Sequence, residues 1–337
     1  MTMTDPLHTR LCDILDCRVP VMLAGMGGVA RWQLAAAVAN AGGFATLGMV
    51  RESPDLIEAE VTALRAATDR LFAVNVIPSA TDPALLDAQL ARCEALGVRA
   101  YSFFWDVMPS VVARAKATGA LVIHQIGTLE AARAAEAAGA DVLVAQGVEA
   151  GGHVHGREPA WDLARAIRAR TRLPVAVSGG LADGTDLARA LADGLDGAQY
   201  GTAFLATPDS FAHDYHRQRI VEATGKDTVL TDVFVLNWPK GAAVRVLENS
   251  TTRALNGAYL GHDPATLPRE AIAWDEGVPR LRFSTDSPMR TTNGNLEAMA
   301  LYAGTGAGRI DAILPAADRL RAIAAEARVL LSNGGVT

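Results

Sequence analysis

Residues 174–202, PVAVSGGLADGTDLARALADGLDGAQYGT, contain one whole βαβ unit. Pro174–Ser178 is a short apolar run, as expected of a strand covered on both faces. Gly184–Ala192 has a helical pattern, and Gly194 follows it where a left-handed cap is wanted. Gly197–Gly201 is a second apolar strand. Both strands run into glycine, through Ser178-Gly179-Gly180 and Gly201-Thr202.

The same unit repeats toward the N-terminus. Six earlier strand candidates are Val19–Ala24, Phe44–Gly48, Leu71–Val76, Arg99–Phe103, Leu121–Gln125 and Asp141–Ala145. Helical patterns lie between them at Arg31–Ala41, Asp55–Ala67, Pro83–Leu96, Pro109–Ala117, Leu129–Ala138 and Trp161–Arg170. Eight strands with seven helices predict an α/β fold, a (β/α)8 barrel. An open sheet of eight strands is the other arrangement of such units. A barrel needs about 250 residues, and the chain has 337. The surplus falls between Ser210 and Tyr302, where the βα rhythm stops. Helices are expected there near Tyr215–Thr224 and Asn295–Leu301. Pro315–Leu331 then gives an amphipathic helix that can serve as the eighth of the barrel. The expected organisation is a barrel from residues 1–209 and 303–337, with a mainly helical insertion, 210–302, over the C-terminal mouth where barrel active sites sit.

Composition narrows the function. Net charge is −6 and the arginines are dispersed, which argues against nucleic acid as a partner. Cys12, Cys17 and Cys93 are too few for a disulfide framework and read as packing thiols. No apolar run reaches the ~18 residues of a membrane span, and the opening MTMTDPLHTR is too polar for a signal peptide. A cytoplasmic enzyme without membrane contact is expected. Oligomeric state is not readable, and a homodimer is compatible with the sequence.

The strand ends carry the chemistry. No Lys stands at one, which disfavours Schiff-base and pyridoxal-phosphate barrels. No carboxylate–histidine cluster has metal spacing, so no metal is expected. Gly179, Gly180, Gly201 and Thr202 form two adjacent late loops suited to a phosphate. Ala24, Gly25 and Met26 after strand one, Asn75 after strand three and Gln125 after strand five offer amides and backbone to a heteroaromatic ring such as an isoalloxazine. After strand six, Gln146-Gly-Val-Glu-Ala-Gly-Gly-His153-Val-His155-Gly156 carries a histidine into the mouth on a glycine-rich loop. A histidine there can serve as acid, base or anion partner. Trp238, Trp274, Phe283 and Met289 of the insertion are candidates for shaping the pocket.

The stretches VAQGVEAGGHVHG, PVAVSGGLADG and AQYGTAFLAT, with PVMLAGMGGVA, AGGFATLG, FAVNVIP and LYAGTGAG, resemble the nitronate monooxygenase (2-nitropropane dioxygenase) family over nearly the whole chain. The resemblance implies an FMN-dependent TIM barrel that oxidises anionic alkyl nitronates with O2. It implies flavin contacts at Asn75, Gln146 and Gly151, and a phosphate end at Gly180, Gln199, Tyr200, Gly201 and Thr202; Gly152, Ser178 and Gly179, beside these in the same loops, are expected to bind the cofactor with them. It makes His153 catalytic and puts Tyr302 at the substrate pocket. The run GGHVHG departs from the GGHRG of well-studied members, losing the Arg and adding one residue. An NAD(P)H-dependent FMN reductase of quinones or enoyl thioesters shares most of these motifs and is the alternative. A flavin-free sugar-phosphate barrel is a more distant one, disfavoured by the missing strand-end carboxylates.

Overall fold

Strand β1 (Val21–Leu23) lies between two neighbours that are far from it in sequence differently: β2 (Ala45–Gly48) and β9 (Gly197–Tyr200). That junction closes a sheet into a barrel. The computed structural model describes residues 5–334; residues 1–4, part of the opening that was read as too polar for a signal peptide, and 335–337 lie outside the described residues, as do the matching ends of the expected barrel segments. Between the two neighbours of β1 run β3 (Phe72–Val76), β4 (Ala100–Phe104), β5 (Leu121–Ile126), β6 (Val142–Gln146) and β8 (Val175–Ser178). All pair in parallel, in the order β1-β9-β8-β6-β5-β4-β3-β2. The Met22–Phe44 bridge closes the ring. These are the eight expected strands, with ends displaced by one or two residues.

Alternation along each strand supplies two cores. Inward side chains, including Met22, Ala73, Ala100, Ile123, Val142, Val144 and Ala176, fill the barrel. Helix α1 (Arg10–Leu15) plugs the N-terminal end with Leu11, Cys12 and Leu15. Outward side chains such as Leu23, Leu47, Val74, Tyr101, Leu143, Val177 and Tyr200 meet the helices. Those helices are α2 (Trp32–Ala41), α3 (Pro54–Ala67), α4 (Pro83–Ala95), α5 (Pro109–Ala117), α6 (Leu129–Ala138), α7 (Ala160–Arg168) and α8 (Gly184–Ala192). Helix α12 (Ala316–Ser332) packs between α8 and α2 and takes the eighth place. No helix among the described residues is long and apolar enough to cross a membrane.

The insertion differs from its expected helical character. After the single turn of α9 (Thr202–Leu205) it holds α10 (Asp214–Val221), α11 (Ser250–Arg253) and five strands. Strands β10 (Thr228–Thr231) and β11 (Ala243–Leu247) continue antiparallel onto β7 (Gly152–Val154), a strand in the loop after β6. Strands β12 (Ala271–Asp275), β13 (Val278–Leu281) and β14 (Thr292–Gly294) make a second small sheet. Residues 295–301 hold only a 3₁₀ turn, Leu296–Ala298. The physical reason is visible in Ala243–Leu247. Val244 and Val246 are buried while Ala243 and Arg245 are half-exposed, which is a strand's alternation. Glu276 and Gly277, both at positive φ, make the turn between β12 and β13, as a two-residue hairpin requires.

Two histidines are buried outright. His124 of β5 and His216 of α10 are both pushed down to about pKa 4, chiefly by loss of water. The unfolded chain therefore takes up these protons first, near pH 6.5. Their contribution to stability is full above about 6.5 and is lost as pH falls toward 4. Thermal melts from pH 7.5 to 4.5 should show the midpoint falling below pH 6.5, at about 1 kcal/mol per histidine per pH unit. A midpoint that stays level across that range contradicts this assignment.

Candidate active site

The loop after β6 is built against protein before it meets any ligand. Gln146, the last residue of β6, donates from Nε2 to the His153 carbonyl at 2.9 Å and accepts from His155 N at 3.4 Å. The loop's β7 pairs with β11, His153 standing opposite Val244. Glu149 is spent on structure, accepting from Ala160 N at the start of α7. Its glycines mostly serve close packing: a Cβ on Gly151 would come within 2.5 Å of the Ala303 backbone. Gly152, at φ +79°, has open space where a side chain would project. Gly147 and Gly156 are pressed in the same way as Gly151, against the backbone of Ala160 and Gly127.

The loop forms one wall of a cavity of about 600 Å³ at the C-terminal mouth, a size usual for cofactor sites. The cavity brings together Ala24, Gly25, Met26, Gln125, Gln146, Gly151, Gly152, His153, Ser178, Gly179, Gly180, Gln199, Gly201, Thr202 and Tyr302. Gln199 donates to Gln125 Oε1 at 2.5 Å and to Ser178 Oγ at 3.4 Å, so three expected residues form one polar chain. Thr202 Oγ1 accepts from Gly304 N at 2.9 Å. Asn75 lies just behind the lining. Gly25 has no room for a Cβ, which would stand 2.4 Å from Asn75 Cγ. Asn75 donates to Ser102 O at 2.8 Å, and its Oδ1 is buried without a partner.

Tyr200 turns its side chain away from the cavity. It was expected among the ligand contacts at the phosphate end, but its side chain points outward from β9 into the helix layer. There its hydroxyl donates to Asp183 O at 2.9 Å. Its neighbour Gln199 points inward, and adjacent strand residues cannot share a face.

His153 stands at the wall with Nε2 buried and unpartnered. Its ring centroid is 3.7 Å from that of Trp238 and 5.8 Å from that of Tyr302. Loss of water, helped by the positive charge of Arg51, lowers its pKa to about 3. The imidazole is therefore neutral at physiological pH. The Tyr302 hydroxyl donates to Thr285 O at 2.7 Å, and burial raises its pKa, so it stays protonated. His155 faces away, beside Asp106 at 3.5 Å and Trp105.

Arg51 was missed in the sequence. It follows β2, at φ +59°, and its guanidinium carbon lies 4.5 Å from the Trp238 ring centroid. A search of every strand end for charge would have found it. Of the insertion candidates, Trp238 and Met289 line the cavity, Trp274 is largely exposed, and Phe283 packs in a separate cluster with Val233 and Phe234. Farther out the lining includes the pairs Arg31–Glu52 and Arg280–Asp275.

Residues 8–326 match the family model described as nitronate monooxygenase. A nitronate monooxygenase of Pseudomonas aeruginosa is 31% identical over 95% of this chain and 99% of its own. A Rhodococcus jostii protein named (3aS,4S,5R,7aS)-5-hydroxy-7a-methyl-1-oxo-octahydro-1H-indene-4-carboxyl-CoA dehydrogenase is 30% identical over 95% and 96%. The solved structure of nitroalkane oxidase from Streptomyces ansochromogenes superposes with a TM-score of 0.77 at 32% identity, covering 95% of this chain and 99% of that one. With the barrel, its mouth cavity and this match over nearly its whole length, the chain belongs to the nitronate monooxygenase family of flavin-dependent oxidoreductases.

Proposed function

We propose that this chain is an FMN-dependent enzyme that oxidises alkyl nitronates with O2. The observation that carries the reading is a neutral histidine, Nε2 unpartnered, on the wall of a glycine- and amide-lined cavity at the barrel mouth. In this reading residues 1–209 and 303–337 hold the cofactor, and 210–302 cover the substrate.

The residues fit a flavin mononucleotide. Asn75 Oδ1 is a buried acceptor without a donor, at the floor beneath Gly25. Gln125, Gln146 and Gln199 offer amides to the edges of a planar ring. Gly179 and Gly180 after β8, with Gly201 and Thr202 after β9, line the wall in two adjacent loops suited to one phosphate. Bound FMN would supply the electron-accepting ring and its reoxidation by O2.

The chain's own residues define the substrate's ionisation state. A base works best with a pKa near the working pH, and that of His153 is lowered to about 3. His153 is therefore a poor base toward a neutral nitroalkane. It can orient an anion that is already formed, through a hydrogen bond at Nε2. Preformed nitronates should have kcat/KM at least about 10²-fold above the parent nitroalkanes. No inflection from His153 should appear between pH 5 and 8. Comparable rates for both forms, or a limb near pH 6.5, would count against this role. His153→Asn should retain bound flavin and lose about 10–10² in rate, the scale of one hydrogen bond to a charged group; unchanged turnover removes His153 from the mechanism.

A second reading, an NAD(P)H-dependent reductase, has one observation in its favour. The cavity lining also holds the pairs Arg31–Glu52 and Arg280–Asp275, whose arginines suit the phosphates of a nicotinamide dinucleotide better than a small nitronate. Anaerobic mixing separates the two. Loss of the flavin absorbance near 450 nm on adding a nitronate, and not on adding NADH or NADPH, is the expected result; rapid loss with the nicotinamide alone makes the chain a reductase.

A further inference from the structure

At the insertion end of the cavity, polar groups that the protein leaves unmatched gather around one aromatic ring. Trp238 is 7% exposed, and its indole Nε1–H is buried without an acceptor. Buried N–H groups are satisfied in the great majority of cases. The His153 ring, also with an unpartnered Nε2, lies against this indole, 3.7 Å between centroids and tilted by 34°. Arg51 lies against the same indole at 4.5 Å. The Arg51 Nε and Nη1 groups donate to the carbonyls of Ala80 and Asn237, which position the guanidinium without cancelling its charge. Among the described residues no carboxylate forms an ion pair with it; Asp286 acts on it only through its field. Its left-handed backbone at φ +59°, rare for a non-glycine residue, is held in place by these contacts.

An indole N–H, an imidazole nitrogen and an unneutralised guanidinium in one wall ask for an acceptor with three properties. It carries negative charge, which Arg51 attracts. It presents at least two oxygens, so that Nε1 of Trp238 and Nε2 of His153 can be reached together. It is flat, to enter beside Trp238 and Tyr302, which line the cavity with His153. A nitronate has all three properties. A quinone or an enoyl thioester lacks the charge.

We infer that Trp238 and Arg51, together with His153, form a subsite for a planar anion bearing two or more oxygens, in which the Trp238 Nε1–H donates to one oxygen. The ligand's identity as a nitronate rests on the function proposed above, whereas its charge and shape do not. Trp238 and Arg51 are then the residues that separate anionic from neutral substrates.

Nitrate, a planar anion that is not oxidised further, is the probe. Calorimetric titration of the flavin-loaded enzyme should give saturable nitrate binding. Trp238→Phe keeps the ring and removes only the donor, and should weaken that binding about tenfold, which is about 1.4 kcal/mol. Arg51→Gln should weaken it at least as much, and Arg51→Lys should restore part of the loss. In the wild-type enzyme, which depends on no variant folding, nitrate should move the Trp238 indole N–H resonance. Nitrate that fails to bind, an unmoved resonance, or equal affinity in Trp238→Phe overturns the subsite. Turnover of ethylnitronate by the same proteins should show the variants raising KM more than they lower kcat. A wild type that binds nitrate through Trp238 and yet leaves nitronates untouched would sink the proposed function and leave the subsite standing.

Discussion

The arrangement of the site depends on one backbone pairing, that of Gly152–Val154 with Ala243–Arg245. A glycine-rich loop left alone would sample many conformations, at a conformational cost of about 1–2 kcal/mol per residue to order. Pairing turns the middle of this loop into a strand and sets His153 against Val244. Gln146 holds the His153 carbonyl from the barrel side. The imidazole is thus fixed between barrel and insertion, and neither alone determines where it points. The same insertion delivers Trp238 and Tyr302, so wall and histidine arrive together.

Fixing the ring this way also decides its chemistry. Burial takes water from His153, and Arg51 adds a positive field, so the protonated form is disfavoured twice. The permanent positive charge close to the ring belongs to Arg51 instead, since an arginine keeps its proton even when burial lowers its pKa. Hydrogen bonding and charge are thereby divided between two residues. An anion can be drawn in without the histidine having to titrate.

The barrel was legible because every strand and helix in it announces itself within a few residues. Apolar runs of about five, caps such as Asp82 and Thr128, and glycines after helix ends are local signals. The residues that line the barrel mouth were legible for the same reason, since a strand end locates them. The outward side chain of Tyr200 was not legible, because a motif says which residues are adjacent and not which face each takes. The strands of the insertion were obscured by their brevity: Ala243–Leu247 alternates over only five residues, and its partners lie near 153 and 229 in the chain. Arg51 and Trp238 are 187 residues apart in the chain, and no spacing rule links them. Their meeting is a property of the closed barrel and its cover, and only the three-dimensional arrangement contains it.

The seam between β1 and β9 has a consequence for how the molecule comes into being. The first barrel strand must wait for the last, nearly 180 residues later, before its edge is covered. Helix α12, which covers the seam from outside between α8 and α2, follows the whole insertion. Such long-range closure is slow to form, because loop entropy is spent before the contacts reward it. During synthesis the half-built sheet presents β1 as an open edge, and an open edge invites pairing with another chain. The insertion between β9 and α12 thus lengthens the interval in which the barrel is exposed.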